Sequence, residues 1–158
     1  MKKGSTLFLK VVICLIAGVA FTWLVWFPQL EGRAADLDLI NIYLDPLILY
    51  TYIGSIPFFV ALYQAIKLLG YVDGNKVFSQ ASVNAVKNIK YCALAFSGFI
   101  LLGVLYINLF VRDEDPAGVT SLGIFITFAS IILATATAIF QRLLQNGIDL
   151  KSENDLTV

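Results

Sequence analysis

The sequence lacks histidine altogether, and only 14% of its 158 residues are charged. A soluble domain averages roughly 25% charged residues, so most of this surface is predicted to face something other than water. Without histidine, and with only two distant cysteines, Cys14 and Cys92, the chain has neither an imidazole base nor a zinc-ligand spacing. It also lacks a glycine-rich phosphate loop and a nucleophile elbow. We therefore predict no enzyme activity, no cofactor and no metal site.

A net charge is missing as well, because eleven basic residues balance eleven acidic ones. No overall field draws the chain to a polyanion, so direct binding to nucleic acid is not expected.

Apolar sequence is abundant: 59% of the residues are hydrophobic, and the mean hydropathy is +0.83. Four runs without any charged residue cover 11–30, 46–66, 91–111 and 116–141. About twenty helical residues cross a hydrocarbon core of about 30 Å. The sequence therefore predicts a single all-α membrane domain, a four-helix bundle with spans at about 8–30, 46–69, 91–111 and 116–142. The absence of charge at depth argues against a proton relay.

Lysine and arginine set the predicted orientation. Nine of the eleven flank one side of the spans and two flank the other: Lys2, Lys3, Lys10, Lys67, Lys76, Lys87, Lys90, Arg142 and Lys151 against Arg33 and Arg112. Under the positive-inside rule, both termini, a loop at 70–90 and a tail at 143–158 are cytoplasmic. Loops at 31–45 and 112–115 face outward. The predicted location is the plasma membrane, which the chain crosses four times.

The second and fourth spans begin and end alike. Asp45-Pro46 and Asp115-Pro116 each place a capping carboxylate before a proline at the first helical position. The segments "ALYQAIKLLGYVD" (61–73) and "AIFQRLLQNGID" (138–149) share an order of residue types that ends in glycine and aspartate. Two interpretations stay open: a duplicated helical hairpin, or two helices that each end at a glycine.

Small and weakly polar residues mark helix contacts in lipid, where apolar contact alone gives little association. The fourth span carries such a seam at steps of three and four: Gly123, Thr127, Ser130, Ala134, Ala138 and Gln141. The other spans offer similar small or weakly polar residues for helix contacts: Cys14 and Gly18 on the first, Thr51, Gly54, Ser55, Ala61 and Ala65 on the second, and Ala93, Ser97 and Gly98 on the third. Gln64 and Gln141 are the best candidates for a polar bond between helices. The alternative to helix packing is that these residues line a path for a ligand, for example a pore formed by a homo-oligomer.

The longest polar stretch between spans is "YVDGNKVFSQASVNAVKNIKY", residues 71–91. Asp73-Gly74 predicts a turn and Ser79 an N-cap, followed by a short amphipathic helix with Phe78, Ala81, Ala85, Ile89 and Cys92 on one face. This helix either continues into the third span or bends along the membrane surface, where its lysines reach lipid headgroups. The tail at 149–158 is either loose or packs on this loop. Candidate partner-binding residues are Lys76, Phe78, Ser79, Lys87 and Lys90.

Three segments carry a family resemblance: "MKKGSTLFLKVVICLI", "AIKLLGYVDGNKVFSQASVNAVKNIKYCA" and "QRLLQNGIDLKSENDLTV". They resemble the bacterial four-span membrane proteins catalogued as domain of unknown function 2975. The resemblance implies an integral membrane protein without an assigned activity or established site residues. In that family the gene often neighbours a small helix-turn-helix regulator, which implies a DNA-binding partner at the membrane.

The leading functional hypothesis is a non-enzymatic membrane protein whose cytoplasmic face, residues 71–90 with the tail, binds a small transcription regulator. An oligomeric pore or transporter for a small solute, and an immunity protein against a membrane-active toxin, remain alternatives.

Overall fold

The computed structural model describes residues 3–30, 43–110 and 117–156. Four helices make up this part of the chain: α1 (Lys3–Leu30), α2 (Pro46–Asp73), α3 (Gln80–Phe110) and α4 (Ala117–Leu156). All four are long and apolar enough to cross a membrane. The predicted all-α fold with four span-length helices is therefore confirmed. The Asp115-Pro116 cap, the loop at 112–115 and most of the loop at 31–45 lie outside the described residues.

The helices pack in chain order. The most extensive interface joins α3 to α4, the next joins α2 to α3, and α1 packs chiefly on α2. Three contacts establish an antiparallel order: the Lys10–Asp73 ion pair, the Tyr50–Phe99 hydrogen bond and the Lys90–Gln141 hydrogen bond. Both ends of the described chain consequently lie at one end of the bundle, the terminal end. That this end faces the cytoplasm stays a prediction of the charge asymmetry.

The start of α2 follows the predicted capping pattern. The Asp45 carboxylate accepts a hydrogen bond of 2.8 Å from the backbone N–H of Leu47, and Pro46 is the first helical residue. Proline has no N–H to leave unsatisfied at this position, so the pair defines where the helix begins.

A cluster of buried hydrophobic residues lies at the terminal end, in addition to Ile48, Ala93 and Ala134, which are buried along the spans. Val83, Val86 and Leu144 are buried against one another, joining the start of α3 to the later part of α4. Leu68, Val77 and Ile148 pack around them, so α2 and the α2–α3 turn also contribute. Outside a bilayer, burying each such side chain is worth roughly 1.5–3 kcal/mol. These contacts hold α2, α3 and α4 together at this end of the bundle.

The turn between α2 and α3 closes on a left-handed residue. Asn75 has φ 54°, whereas the neighbouring Gly74 has φ −83°. The Lys76 N–H donates to the Tyr71 carbonyl at 2.8 Å, and the Asn75 N–H donates to the Val72 carbonyl at 3.2 Å. These two bonds form a Schellman motif, which satisfies carbonyls that the helix end would leave open.

The amphipathic segment after this turn is the beginning of α3 and not a separate helix. It continues unbroken into the third span, up to Phe110. Its buried face matches the predicted one in part, since Ala85 and Ile89 are buried whereas Ala81 is exposed. Ser82, Val83 and Val86, outside the predicted face, are buried as well. The reason is that α2 and α4 both pack on α3, which buries a wider and differently centred face than one partner would.

The helix α4 is 40 residues long, which corresponds to about 60 Å, twice the thickness of a hydrocarbon core of about 30 Å. It continues through Gly147 to Leu156, so most of the tail is helical and is not a loose segment. Gly70 is likewise inside α2. Neither glycine ends its helix, which removes the interpretation that both segments share a terminating glycine.

Candidate functional site: the terminal extension

Two segments lie past the predicted spans, residues 74–90 and residues 143–156, and we call them together the terminal extension. They are held to each other by the core of Val83, Val86 and Leu144. A helix that merely crossed the bilayer would need about half the length of α4. We therefore expect the extra length of α4 to lie beyond the lipid. All five candidate partner-binding residues lie on the terminal extension, within residues 74–90.

Phe78 is positioned by a glycine. A Cβ added at Gly147 would lie 2.5 Å from Cε1 of the Phe78 ring, so the ring sits against the bare backbone of α4. The opposite side of the ring is uncovered, and Phe78 as a whole is 56% exposed. The glycine thus lets the turn dock on α4 while Phe78 remains available at the surface.

Ser79 has a structural task in the turn. Its hydroxyl donates to the Lys76 carbonyl at 2.7 Å, and the Ser82 hydroxyl donates to the same oxygen at 3.0 Å. The Ser82 N–H lies 3.4 Å from the Ser79 hydroxyl oxygen, in the N-cap arrangement. The backbone of Lys76 is therefore fixed, while its side chain is exposed.

The two lysines of α3 have different surroundings. Lys87 is exposed, on the same stripe as Asn84 and Asn88. Lys90 donates to the Gln141 side-chain oxygen at 3.0 Å, and its ammonium lies 4.9 Å from the centroid of the Tyr91 ring. Of the five candidates, Lys76, Phe78 and Lys87 present surface, whereas Ser79 and Lys90 hold the extension together.

An apolar patch that the sequence did not reveal runs along α4 beside Phe78. Leu143 and Leu150 flank Gly147 at steps of four and three, which places them on one side of the helix with the Phe78 ring between them. Leu143 is 60% exposed and Leu150 is 67% exposed. We call Leu143, Phe78 and Leu150 the docking patch. The spacing of the two leucines in the sequence could have indicated a shared face, but only the fold reveals that this face of α4 is exposed.

The predicted seam of α4 lies on the covered side of that helix. Gly123, Thr127 and Ala134 are buried, and Ser130, Ala138 and Gln141 are partly buried. A Cβ added at Gly123 would overlap Cγ2 of Val104, so α3 and α4 approach most closely there among the glycine contacts. Ser130 lines an apolar pocket of about 280 Å³ between α2, α3 and α4.

Other expected contacts are placed differently. A Cβ at Gly18 or Gly98 would meet nothing within 4 Å, so these two glycines do not mark close approaches. Gly54, Ala93 and Ser97 from the same set are buried. Gln141 bonds to Lys90 and not to Gln64. Among residues 3–30, 43–110 and 117–156, no group of three or more Asp, Glu, Cys or His side chains could hold a metal ion.

Comparisons with known proteins agree on the class of molecule. A family model described as a protein of unknown function (DUF2975) matches residues 29–158. The chain is 44% identical over 161 residues to the "Uncharacterized membrane protein YoaS" of Bacillus subtilis (strain 168), covering 100% of both chains. No solved structure matches. The name of that relative states a membrane location and no activity.

Proposed function

Because this chain belongs to the DUF2975 family of proteins of unknown function, we propose its function from its own geometry. It is a multi-pass bacterial membrane protein, in agreement with its relative and with its four span-length helices. Its role is non-enzymatic: the terminal extension, turned toward the cytoplasm, binds a small DNA-binding regulator and keeps it at the membrane. The partner class follows the expectation from the family resemblance.

The docking patch is the observation that carries this proposal. Three large apolar side chains are more than half exposed: Leu143 and Leu150 on a helix that continues well past the predicted span, and Phe78 on the turn that docks on it. In the spans such exposure is ordinary because lipid covers it. On an extension into water, a contiguous exposed apolar patch marks an interaction site.

The surroundings of the patch suit a protein partner. Asp149 and Lys151 adjoin Leu150, and both are exposed, so charges of opposite sign border the apolar centre. An apolar centre with a polar rim is the usual composition of a protein interface. The core of Val83, Val86 and Leu144 fixes the helices beneath the patch, which lowers the ordering cost of binding.

The same geometry favours docking over an oligomeric pore lined by the seam. The seam is covered within one copy, at Gly123 by Val104 of α3, so it is not presented to a second copy. No contact described above favours the immunity alternative.

Photocrosslinking in cells tests the proposal. A photoreactive phenylalanine replaces Leu150 in one variant and Phe78 in another, and replaces Leu102 in the control. Leu102 is 62% exposed on the third span, at the depth of lipid. We expect adducts with a DNA-binding protein from positions 150 and 78 and none from position 102. Recovery of lipid adducts alone from all three positions would refute the proposal.

A substitution provides the second arm of the test. Leu150→Asp places a charge at one end of the docking patch, at a side chain that is 67% exposed, so folding is expected to persist. Adducts formed from position 78 should then fall at least tenfold. Unchanged adduct formation in this background would show that the patch does not bind the partner.

A further inference from the structure

A second apolar feature lies within the spans, where α1 separates from the rest of the bundle. A groove of about 740 Å³ runs between α1, α2 and α3, with Ile126 of α4 at its edge. Leu15, Val19 and Trp23 line it from α1 at a spacing of four residues, and they are 63%, 69% and 61% exposed. Over these nine positions α1 rises about 12 Å. One face of α1 thus borders the groove without being covered by protein.

The groove is open because α1 is attached on one side only. At the terminal end Lys10 forms an ion pair with Asp73 of α2. Toward the other end the Tyr52 hydroxyl of α2 donates to the Leu24 carbonyl at 3.1 Å. No extensive interface joins α1 to α3 or α4 among the described residues. A gap therefore remains between α1 and α3.

The walls of the groove offer hydrocarbon contact and little else. Three hydroxyl groups border it, and each donates to a backbone carbonyl: Tyr50 to Phe99 at 2.6 Å, Thr51 to Leu47 at 2.9 Å and Ser55 to Tyr52 at 2.7 Å. Each of these hydroxyls has already used its hydrogen, so a bound water would find oxygen lone pairs to donate to but no hydroxyl hydrogen to accept, in a lining that is otherwise apolar. The site consequently selects an apolar occupant over water or a polar solute.

We propose that this groove binds one acyl chain of a phospholipid, which enters laterally from the bilayer between α1 and α3. The occupant follows from continuity: all three walls belong to span-length helices, so the groove opens directly onto the surface that lipid covers. An unfilled apolar space forfeits the dispersion contacts that an adjacent chain supplies. The volume lies within the range of about 300–1,000 Å³ that is typical of ligand sites. The inference is independent of the docking proposal.

Two tryptophans provide a direct readout. Trp23 lines the groove, whereas Trp26, equally exposed at 61%, does not. The full chain is purified in detergent as two single-tryptophan variants, Trp26→Phe and Trp23→Phe. A phosphatidylglycerol with brominated acyl chains, which quench indole fluorescence on contact, is added in substoichiometric steps. We expect saturable quenching of Trp23 at one lipid per chain and weaker, non-saturating quenching of Trp26.

Native mass spectrometry with the unbrominated lipid then compares variants that fill the groove with a matched control. Val19→Trp and Leu15→Trp each fill the groove, and Val11→Trp, on the exposed surface of α1 outside the groove, is the control. One retained lipid is expected on the wild type and the control, with at least a tenfold lower occupancy on both filling variants. Equal quenching of the two tryptophans, or equal lipid retention by all variants, would overturn the proposal. A dimer that only the filling variants lose would also overturn it, since a second copy would then occupy the groove.

Discussion

The Phe78 ring lies on the backbone of Gly147, at a distance that leaves no room for a β-carbon. This contact joins the α2–α3 turn to a point on α4 about one turn past the predicted end of the fourth span. Gly70 occupies the matching place in the similar segment of α2, yet a β-carbon added there would meet no atom within 4 Å. Two glycines in similar sequences thus have different surroundings.

We predict opposite effects of alanine at these two glycines. Gly70→Ala should raise the thermal midpoint, because alanine gains about 1 kcal/mol over glycine in a helix interior. Gly147→Ala gains the same helical preference but must displace Phe78, and overpacking costs roughly 1–3 kcal/mol. Its midpoint should fall or stay below that of Gly70→Ala. Scanning fluorimetry of the two variants in detergent measures the difference.

A double variant separates the contact from the helix preference. In a Phe78→Ala background, Gly147→Ala should become as stabilising as Gly70→Ala, because no ring remains to be displaced. If Gly147→Ala were equally stabilising with and without Phe78, the contact would have no energetic role.

The close approach of α3 and α4 at Gly123 predicts a position in the spans where a larger side chain destabilises the fold. A Cβ added at Gly123 would overlap the branched side chain of Val104. Gly123→Ala should therefore lower the thermal midpoint, by an amount equivalent to about 1–3 kcal/mol. Gly118→Ala on the same helix meets nothing within 4 Å and is the control. Adding Val104→Ala to Gly123→Ala should recover most of the loss, and no recovery would place the strain elsewhere.

The sequence predicted the features that a lipid environment requires. Water-excluding spans need about twenty uncharged helical residues, so the four runs were visible without a structure, as was the Asp45-Pro46 start. The seam predicted the close approach at Gly123, but the sequence did not predict the one at Gly147. Gly70 and Gly147 differ only through tertiary contacts, and no local pattern encodes the approach of Phe78. The groove beside α1 was hidden for the same reason, because it depends on how far two helices stand apart.

The α2–α3 turn shows that sequence markers of a turn do not identify its left-handed residue. Asp73-Gly74 is the obvious turn marker, yet the left-handed residue is Asn75, with φ 54°. Asn75→Val should destabilise by about 1–2 kcal/mol, because a branched side chain is disfavoured in that conformation. Gly74→Ala should be nearly neutral, since Gly74 has φ −83° and its added Cβ would make an ordinary 3.5 Å contact. Thermal midpoints reversed between these two variants would contradict the described turn.

The side of the membrane on which the terminal extension lies can be measured by thiol labelling. The two native cysteines are first replaced, as Cys14→Ala and Cys92→Ala, and single cysteines are then introduced as Leu44→Cys and Ser152→Cys. Both positions are exposed, and they lie at opposite ends of the bundle. Because positive loops are retained in the cytoplasm, a membrane-impermeant maleimide should label position 44 in intact cells and position 152 only after permeabilisation. Labelling of position 152 in intact cells would put the docking patch outside the cell, where no DNA-binding regulator could reach it.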